Sequence, residues 1–255
     1  MIPKIIHYCW FGRKPLPELS KKCIESWQKY LPDYEIREWN ESNFDVNIIQ
    51  YTQEAYSMKK YAFVSDYARF HILNKYGGLY FDIDVEVISS FENIVKTGSF
   101  MGFQKGKGWD NIGGVAPGLG MGCIPKHPFI RTLLERYKSL NFINNDGSLN
   151  LKTVVAYTTE NFLDRGLRTE DVIQNIAGFR LYPTDYFCPI AFGSDECAIT
   201  KNTLSIHHYA SSWLPWYYRL EHKCCKKLKI QNTHRLTNII KKGQSICKRL
   251  GNKLH

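Results

Sequence analysis

Residues 77–86 read Gly-Gly-Leu-Tyr-Phe-Asp-Ile-Asp-Val-Glu, and Asp82 and Asp84 are the residues best suited to chemistry. Residues two apart on an extended strand project to the same side. The spacing therefore predicts the two carboxylates together, with Phe81, Ile83 and Val85 facing the other way. Adjacent carboxylates repel and are expensive to bury. A divalent cation relieves that conflict. Mg²⁺ and Mn²⁺ take one or two protein carboxylates and complete their shell with water and phosphate oxygens. The expectation is a metal–diphosphate site in an enzyme that uses an activated phosphate donor. A solvated strand end can carry the same pair, so other residues must support this reading.

The preceding helix supplies the first support. Ala62, Asp66, Arg69 and Leu73 fall at i, i+4, i+7 and i+11 and form one stripe, apolar at its ends and charged in its middle. An ordinary intrahelical ion pair would look similar. On a stripe that leads straight into the carboxylates, Asp66 is expected to accept from sugar hydroxyls, and Arg69 to neutralise a phosphate or hold the sugar with its planar fork of donors. Trp10 closes a predicted first strand, as a core residue or as a platform for a nucleotide base. His207 and His208 close a predicted last strand, just before Trp213. One imidazole can complete the shell of Mn²⁺. Neighbouring strand residues point in opposite directions, so only one of the two histidines is expected to do so.

The elements that carry these groups alternate. Residues 2–10 read as a strand, 20–30 as a helix with Cys23, Ile24 and Trp27 on one face, and 34–39 as a strand. That order opens an α/β domain with a parallel sheet. Residues 53–76 read as one helix or two in succession, stopped by Gly77-Gly78. Eight glycines between 102 and 122 predict an irregular loop or a hairpin of thin strands. Helices are expected at 128–137 and 150–163, irregular chain at 182–193, and a last strand at 204–209. A carboxylate pair at the end of a strand is where α/β sheets take ligands.

Composition sets the frame. The chain has 255 residues, 44% hydrophobic and 14% aromatic, enough for one sizeable domain with an appendage. It has no apolar run of eighteen residues and no N-terminal stretch resembling a secretory signal, so a cytoplasmic location is expected. The eight cysteines contain no Cys-x-x-Cys pair and are expected to be reduced thiols. Residues 219–255 hold eleven Lys/Arg and one acidic residue, a charge of +10, which is also the charge of the whole chain. Residues 1–218 are therefore neutral, which argues against nucleic acid as a partner. The division expected is a domain at 1–218 and a basic amphipathic tail at 219–255, a helical segment suited to the anionic inner face of the cytoplasmic membrane. A metal-dependent phosphohydrolase built on the same carboxylates is the alternative enzyme.

Taken together, residues 2–12, 60–69 and 76–86, with His207-His208 and Ser212-Trp213, resemble glycosyltransferase family 32, the sugar transferases with a DxD motif. The resemblance spans residues 1–213 and leaves the tail uncovered. It implies a GT-A-type domain with a central, mostly parallel sheet flanked by helices. It also implies a retaining transfer from a nucleotide-sugar to a glycan or lipid-linked oligosaccharide in cell-surface polysaccharide or capsule synthesis. By carry-over, Trp10 stacks on the base, while Asp66 and Arg69 hold the donor sugar. Asp82 contacts the ribose or sugar and the metal, and Asp84 binds Mn²⁺ (or Mg²⁺). His208, in preference to His207, takes the C-terminal metal or diphosphate position, and Ser212 and Trp213 lie by the leaving phosphate.

Overall fold

The structure, a computed structural model, describes residues 1–109, 112–191 and 196–210. In chain order its elements are β1 (Ile5–Cys9), α1 (Glu18–Tyr30), β2 (Glu35–Trp39), α2 (Gln50–Ser57), α3 (Tyr61–Tyr76), β3 (Gly78–Tyr80) and β4 (Val85–Val87). There follow α4 (Glu92–Val95), β5 (Phe100–Trp109), β6 (Ile112–Val115), β7 (Met121–Cys123), α5 (Pro128–Lys138), α6 (Val154–Leu163), β8 (Gln174–Ile176), β9 (Phe179–Tyr182), α7 (Thr184–Phe187) and β10 (Ser205–His207). The expected strand–helix–strand opening is present. The expected helix over 53–76 is two helices. Lys59, at φ 55°, closes α2 with bonds from Lys59 N to Tyr56 O and from Lys60 N to Ala55 O, a Schellman-type end.

A central mixed sheet runs in the order β2-β1-β3-β7-β5-β9-β8, with β6 paired to β5. β1 lies parallel to β2 and β3, and β5 lies parallel to β9, while β7 joins the two blocks by antiparallel pairing. β4 and β10 form a separate antiparallel pair. Helices cover both faces of the central sheet, so its inner strands β1, β3 and β7 are buried, while edge strand β2 stays partly exposed. Leu79 and Tyr80, neighbours on β3, belong to opposite apolar clusters. Leu79 packs with Ile6, Trp27, Phe81 and Phe91, whereas Tyr80 packs with Val64, Tyr67, Phe70 and Met121. The glycine-rich stretch resolves into the β5–β6 hairpin and β7, the second of its two expected forms. Two short strands, β8 and β9, were not expected, and the aromatic segment after β9 contains the single turn of α7.

Residues 1–209 form one compact unit. The expected boundary at 218/219 and the basic tail lie outside the described residues. No described helix is long and apolar enough to cross a membrane. Cys9, Cys23, Cys123 and Cys188 are buried free thiols, and Cys197 is an exposed one.

One polar contact fixes the central strands. His7 on β1 is fully buried. Its Nδ1 accepts from Trp39 Nε1 at 3.1 Å, so Nε2 carries the proton and donates to Gly77 O at 3.0 Å. This single tautomer ties β1 to β2 and to the turn that opens β3. Burial lowers the His7 pKa from 6.5 to about 4. The unfolded chain binds a proton on His7 between those values while the folded chain does not, so stability falls as pH drops from 6.5 towards 4. His7→Gln, neutral throughout, is expected to flatten the loss of unfolding free energy between pH 7 and 4.5 by about 2 kcal/mol. Urea denaturation at the two pH values measures it, and an unchanged difference would show that His7 is not the group responsible.

Candidate active site

α3 runs between the central sheet and the layer of α2 and α5. Phe63, Val64, Tyr67, Ala68, Phe70, Ile72 and Leu73 are buried on it, so it is apolar nearly all round, as a core helix must be. Asp66 and Arg69 are buried on the same helix, 8% and 3% exposed. The chain then turns at Gly77 (φ 65°) and Gly78 (φ 101°), a left-handed backbone that other residues adopt only under strain. A Cβ on Gly78 would stand 2.6 Å from Ile5 O, so the same residue allows β3 to lie against β1. This reversal brings Tyr80 and Asp82 back beneath the middle of α3.

Arg69 is the centre of the arrangement. Its Nε donates to Ser65 O at 3.1 Å, and its Nη2 donates to Asp66 Oδ1 at 2.9 Å and lies 3.3 Å from Asp82 Oδ1. The guanidinium sits over the Tyr80 ring, 4.9 Å from its centroid. Its Nη1 is buried and has no hydrogen-bond partner among the described residues. Burial works against the charged guanidinium, but Asp82, Tyr80 and Asp66 outweigh it and hold its pKa above the usual value. Burial raises the Asp66 carboxyl to about 7, although Arg69 and the backbone N–H of Val154, at the start of α6, both favour its ionised form. The expected stripe is therefore a buried two-carboxylate clasp on one cation, with one end of the fork unused. A buried donor left unpaired carries a desolvation penalty of about 1–3 kcal/mol. An acceptor brought by a ligand would remove it.

The expected single strand through Asp82 and Asp84 is corrected by the structure. Residues 81–84 form a corner, with Val85 N bonded to Asp82 O at 3.0 Å. β3 belongs to the central sheet and β4 to the small one, and the carboxylates stand where the chain passes between them. Strand alternation therefore does not orient them. Asp82, its side chain 29% exposed, turns to Arg69, whereas Asp84, its side chain 12% exposed, turns to β10. From α1, Trp27 Nε1 donates to Val85 O at 2.8 Å and Ser26 Oγ accepts from Val87 N at 2.9 Å, which braces β4 from below.

The two histidines, of which His208 was preferred, face different carboxylates. His207 Nε2 lies 3.1 Å from Asp84 Oδ1, while His208 Nε2 reaches Glu86 Oε2 at 2.8 Å. The register of β10 on β4, with His207 opposite Val85, directs the two rings to these two carboxylates. Burial alone would depress His207, but Asp84 more than offsets it and the imidazole titrates above its usual value. Its Nδ1 is buried without a hydrogen-bond partner among the described residues.

Trp10 follows β1, partly buried, with its Nε1 donating to Lys14 O at 2.5 Å. The thiol of Cys9, just before it, lies in the field of Arg69 and Tyr80. Ser212 and Trp213 lie outside the described residues. Sequence reasoning missed Tyr80, the platform under Arg69, and Gly118, whose carbonyl accepts from Asp82 N at 3.0 Å.

Asp82 and Asp84 offer oxygen donors on one corner, the kind Mg²⁺ or Mn²⁺ takes when phosphate and water complete its shell. Among the described residues, no three or more His, Cys, Asp or Glu side chains converge as an all-protein metal cage. Two carboxylates alone would leave most of a cation's shell to water and a phosphate-bearing ligand. A phosphohydrolase of the two-metal kind would need a larger cluster, and the alternative finds no support.

Residues 17–101 match the family described as a glycosyltransferase sugar-binding region containing a DXD motif, a span from α1 through Asp84 to the start of β5. That span carries a sugar-binding region like that of the DXD glycosyltransferases, within an α/β fold. The chain is 27% identical over 198 residues to a mannosyl phosphorylinositol ceramide synthase of Saccharomyces cerevisiae, covering 73% of this chain and 49% of the relative. It thus spans about half the length of that protein. An uncharacterized glycosyltransferase of Acanthamoeba polyphaga mimivirus is 27% identical over 234 residues, covering 84% of this chain and 85% of the relative. Among solved structures, the PaToxG glycosyltransferase is 20% identical, with 64% of this chain and 69% of that one covered at a TM-score of 0.49.

The raised pKa of Asp66 has a sign. Because the folded state favours the protonated carboxyl, ionisation lowers stability as pH rises from about 4 through 7. Asp66→Asn keeps an acceptor for Arg69, which retains Asp82, and cannot ionise. Its thermal midpoint relative to the parent is expected to be higher at pH 8 than at pH 5, by about 2–4 °C for each kcal/mol relieved. Scanning calorimetry at both pH values checks this, and an equal difference at the two would contradict it.

Proposed function

We propose that the protein transfers a sugar from a nucleotide-sugar to a glycan or lipid-linked oligosaccharide, with Arg69, Asp66, Asp82 and Asp84 as the floor of the donor site. The observation that carries this reading is the buried Arg69 guanidinium, held by Asp66 and Asp82 with Nη1 unpaired, beside the DXD corner. Arg69 offers that donor to an oxygen of the donor's sugar or diphosphate and keeps its charge at any working pH. Asp66 orients sugar hydroxyls, and the clasp fixes both groups before the donor arrives. Asp82 and Asp84 would hold Mn²⁺ or Mg²⁺, which when bound supplies positive charge to the departing nucleoside diphosphate. His207 hydrogen-bonds Asp84 and fixes its rotamer. Trp10 is assigned to the base, and Ser212 and Trp213 to the leaving phosphate. The family resemblance favours transfer with retention.

The yeast relative's name joins a mannosyl group to a phosphorylinositol ceramide, which supports a lipid-borne acceptor. A capsule or other cell-surface polysaccharide pathway is the setting we favour. The charge of residues 219–255 fits an anionic membrane surface, where each Lys or Arg contributes about 1 kcal/mol. Such attachment would hold the enzyme at the inner face of the cytoplasmic membrane.

A screen of UDP- and GDP-sugars for Mn²⁺-dependent hydrolysis tests the site. Arg69→Ala and Asp84→Asn are each expected to lower the rate about 10²- to 10³-fold. Full metal-dependent activity in Asp84→Asn would exclude the assignment. Removing residues 219–255 is expected to abolish co-sedimentation with vesicles of anionic phospholipid at low salt. Unchanged sedimentation would show that the tail is not the membrane contact.

A further inference from the structure

The segment between β6 and β7, residues 116–120, passes directly over the corner. Asp82 N donates to Gly118 O at 3.0 Å, and Ser205 Oγ on β10 donates to Leu119 O at 3.3 Å. Gly118 faces the clasp. A Cβ built there would fall onto Asp82 Oδ2, 2.7 Å from Asp82 Cγ and 3.1 Å from Arg69 Nη1. Approaches below 3.0 Å are ones that real Cβ atoms essentially never show, and the neighbours here are a carboxylate and a buried guanidinium rather than the far end of a loose side chain. Gly118 is not among the residues with positive φ, unlike Gly120 nearby at φ 145°. Its backbone suits any residue, so the requirement for glycine is one of space alone.

We propose that Gly118 is a positioning residue of the donor site, whose missing side chain leaves the room in which Asp82 meets Arg69 and Arg69 Nη1 stays open to a ligand oxygen. The inference rests on the assignment of Asp82 and Arg69 to the donor. Any side chain at 118 must either drive the Asp82 carboxylate off the guanidinium or fill the space in front of Nη1. The first outcome removes one of the two carboxylates that compensate a buried cation, and the second closes the approach to it.

The test is a double-mutant cycle on the full chain with Gly118→Ala, Asp82→Ala and the pair, read by thermal midpoint and by hydrolysis of UDP- and GDP-sugars with Mn²⁺. Gly118→Ala is expected to lower both the midpoint and, about 100-fold, the hydrolysis rate, because misplacement by an ångström has that order of effect. Asp82→Ala removes the atoms with which the new methyl collides. The pair is therefore expected to match Asp82→Ala alone in midpoint and in rate, the coupling expected of residues in contact. Additive losses in the pair, a pair that fails to fold, or a Gly118→Ala variant that behaves as the parent would each overturn the proposal. If the parent hydrolyses none of the nucleotide-sugars, the donor assignment fails, and the midpoints still decide whether Gly118 acts through Asp82.

Discussion

A guanidinium with almost no exposure to water governs this molecule. Taking such a charge out of solvent is expensive, and its partners must be close and well aimed to compensate. Asp66 arrives one helical turn away, and Asp82 arrives only because the chain reverses at Gly77-Gly78 and runs back beneath α3. The sheet order, the glycine pair and the burial of α3 can all be seen as conditions for bringing a second carboxylate to Arg69. The clasp is left incomplete at Nη1, the Arg69 atom that would lie nearest a Cβ at Gly118.

Compensation of this kind strains the folded state. Asp66 is held where burial opposes its charge, and its neighbours include the hydroxyls of Tyr51 and Tyr137, both buried and without hydrogen-bond partners among the described residues. A sequence selected only for stability would place apolar side chains there. Perturbed carboxyls and unpaired buried donors cluster where ligands bind, and here both lie on or beside α3.

Much of the site was legible in the sequence, and the rest was hidden for identifiable reasons. The Asp66–Arg69 pair follows from helical spacing, and its closeness to Asp82 follows from a glycine pair that favours ending a helix and reversing the chain. The corner between Asp82 and Asp84 was hidden, because local alternation cannot announce that a chain leaves one sheet for another. Which of His207 and His208 faces Asp84 depends on the register of β10 against β4, a pairing across more than a hundred residues. Gly118 was one of eight glycines in a short stretch, and with an ordinary φ it gives no conformational sign of its role. β8 and β9, at three and four residues, are too short to show alternation.

The corner divides responsibility for the two carboxylates. Asp82 answers to the backbone of residues 116–120, and Asp84 answers to residues 205–208. Each half of the anionic pair thus has its own distant stretch of chain as a support, and sequence change in one stretch leaves the other half on its foundation. Among the described hydrogen bonds, Ser205 Oγ to Leu119 O links the two supports. A site divided in this way can be retuned one carboxylate at a time, so the setting of Asp82 against Arg69 and the setting of Asp84 against His207 are separately adjustable properties of one fold.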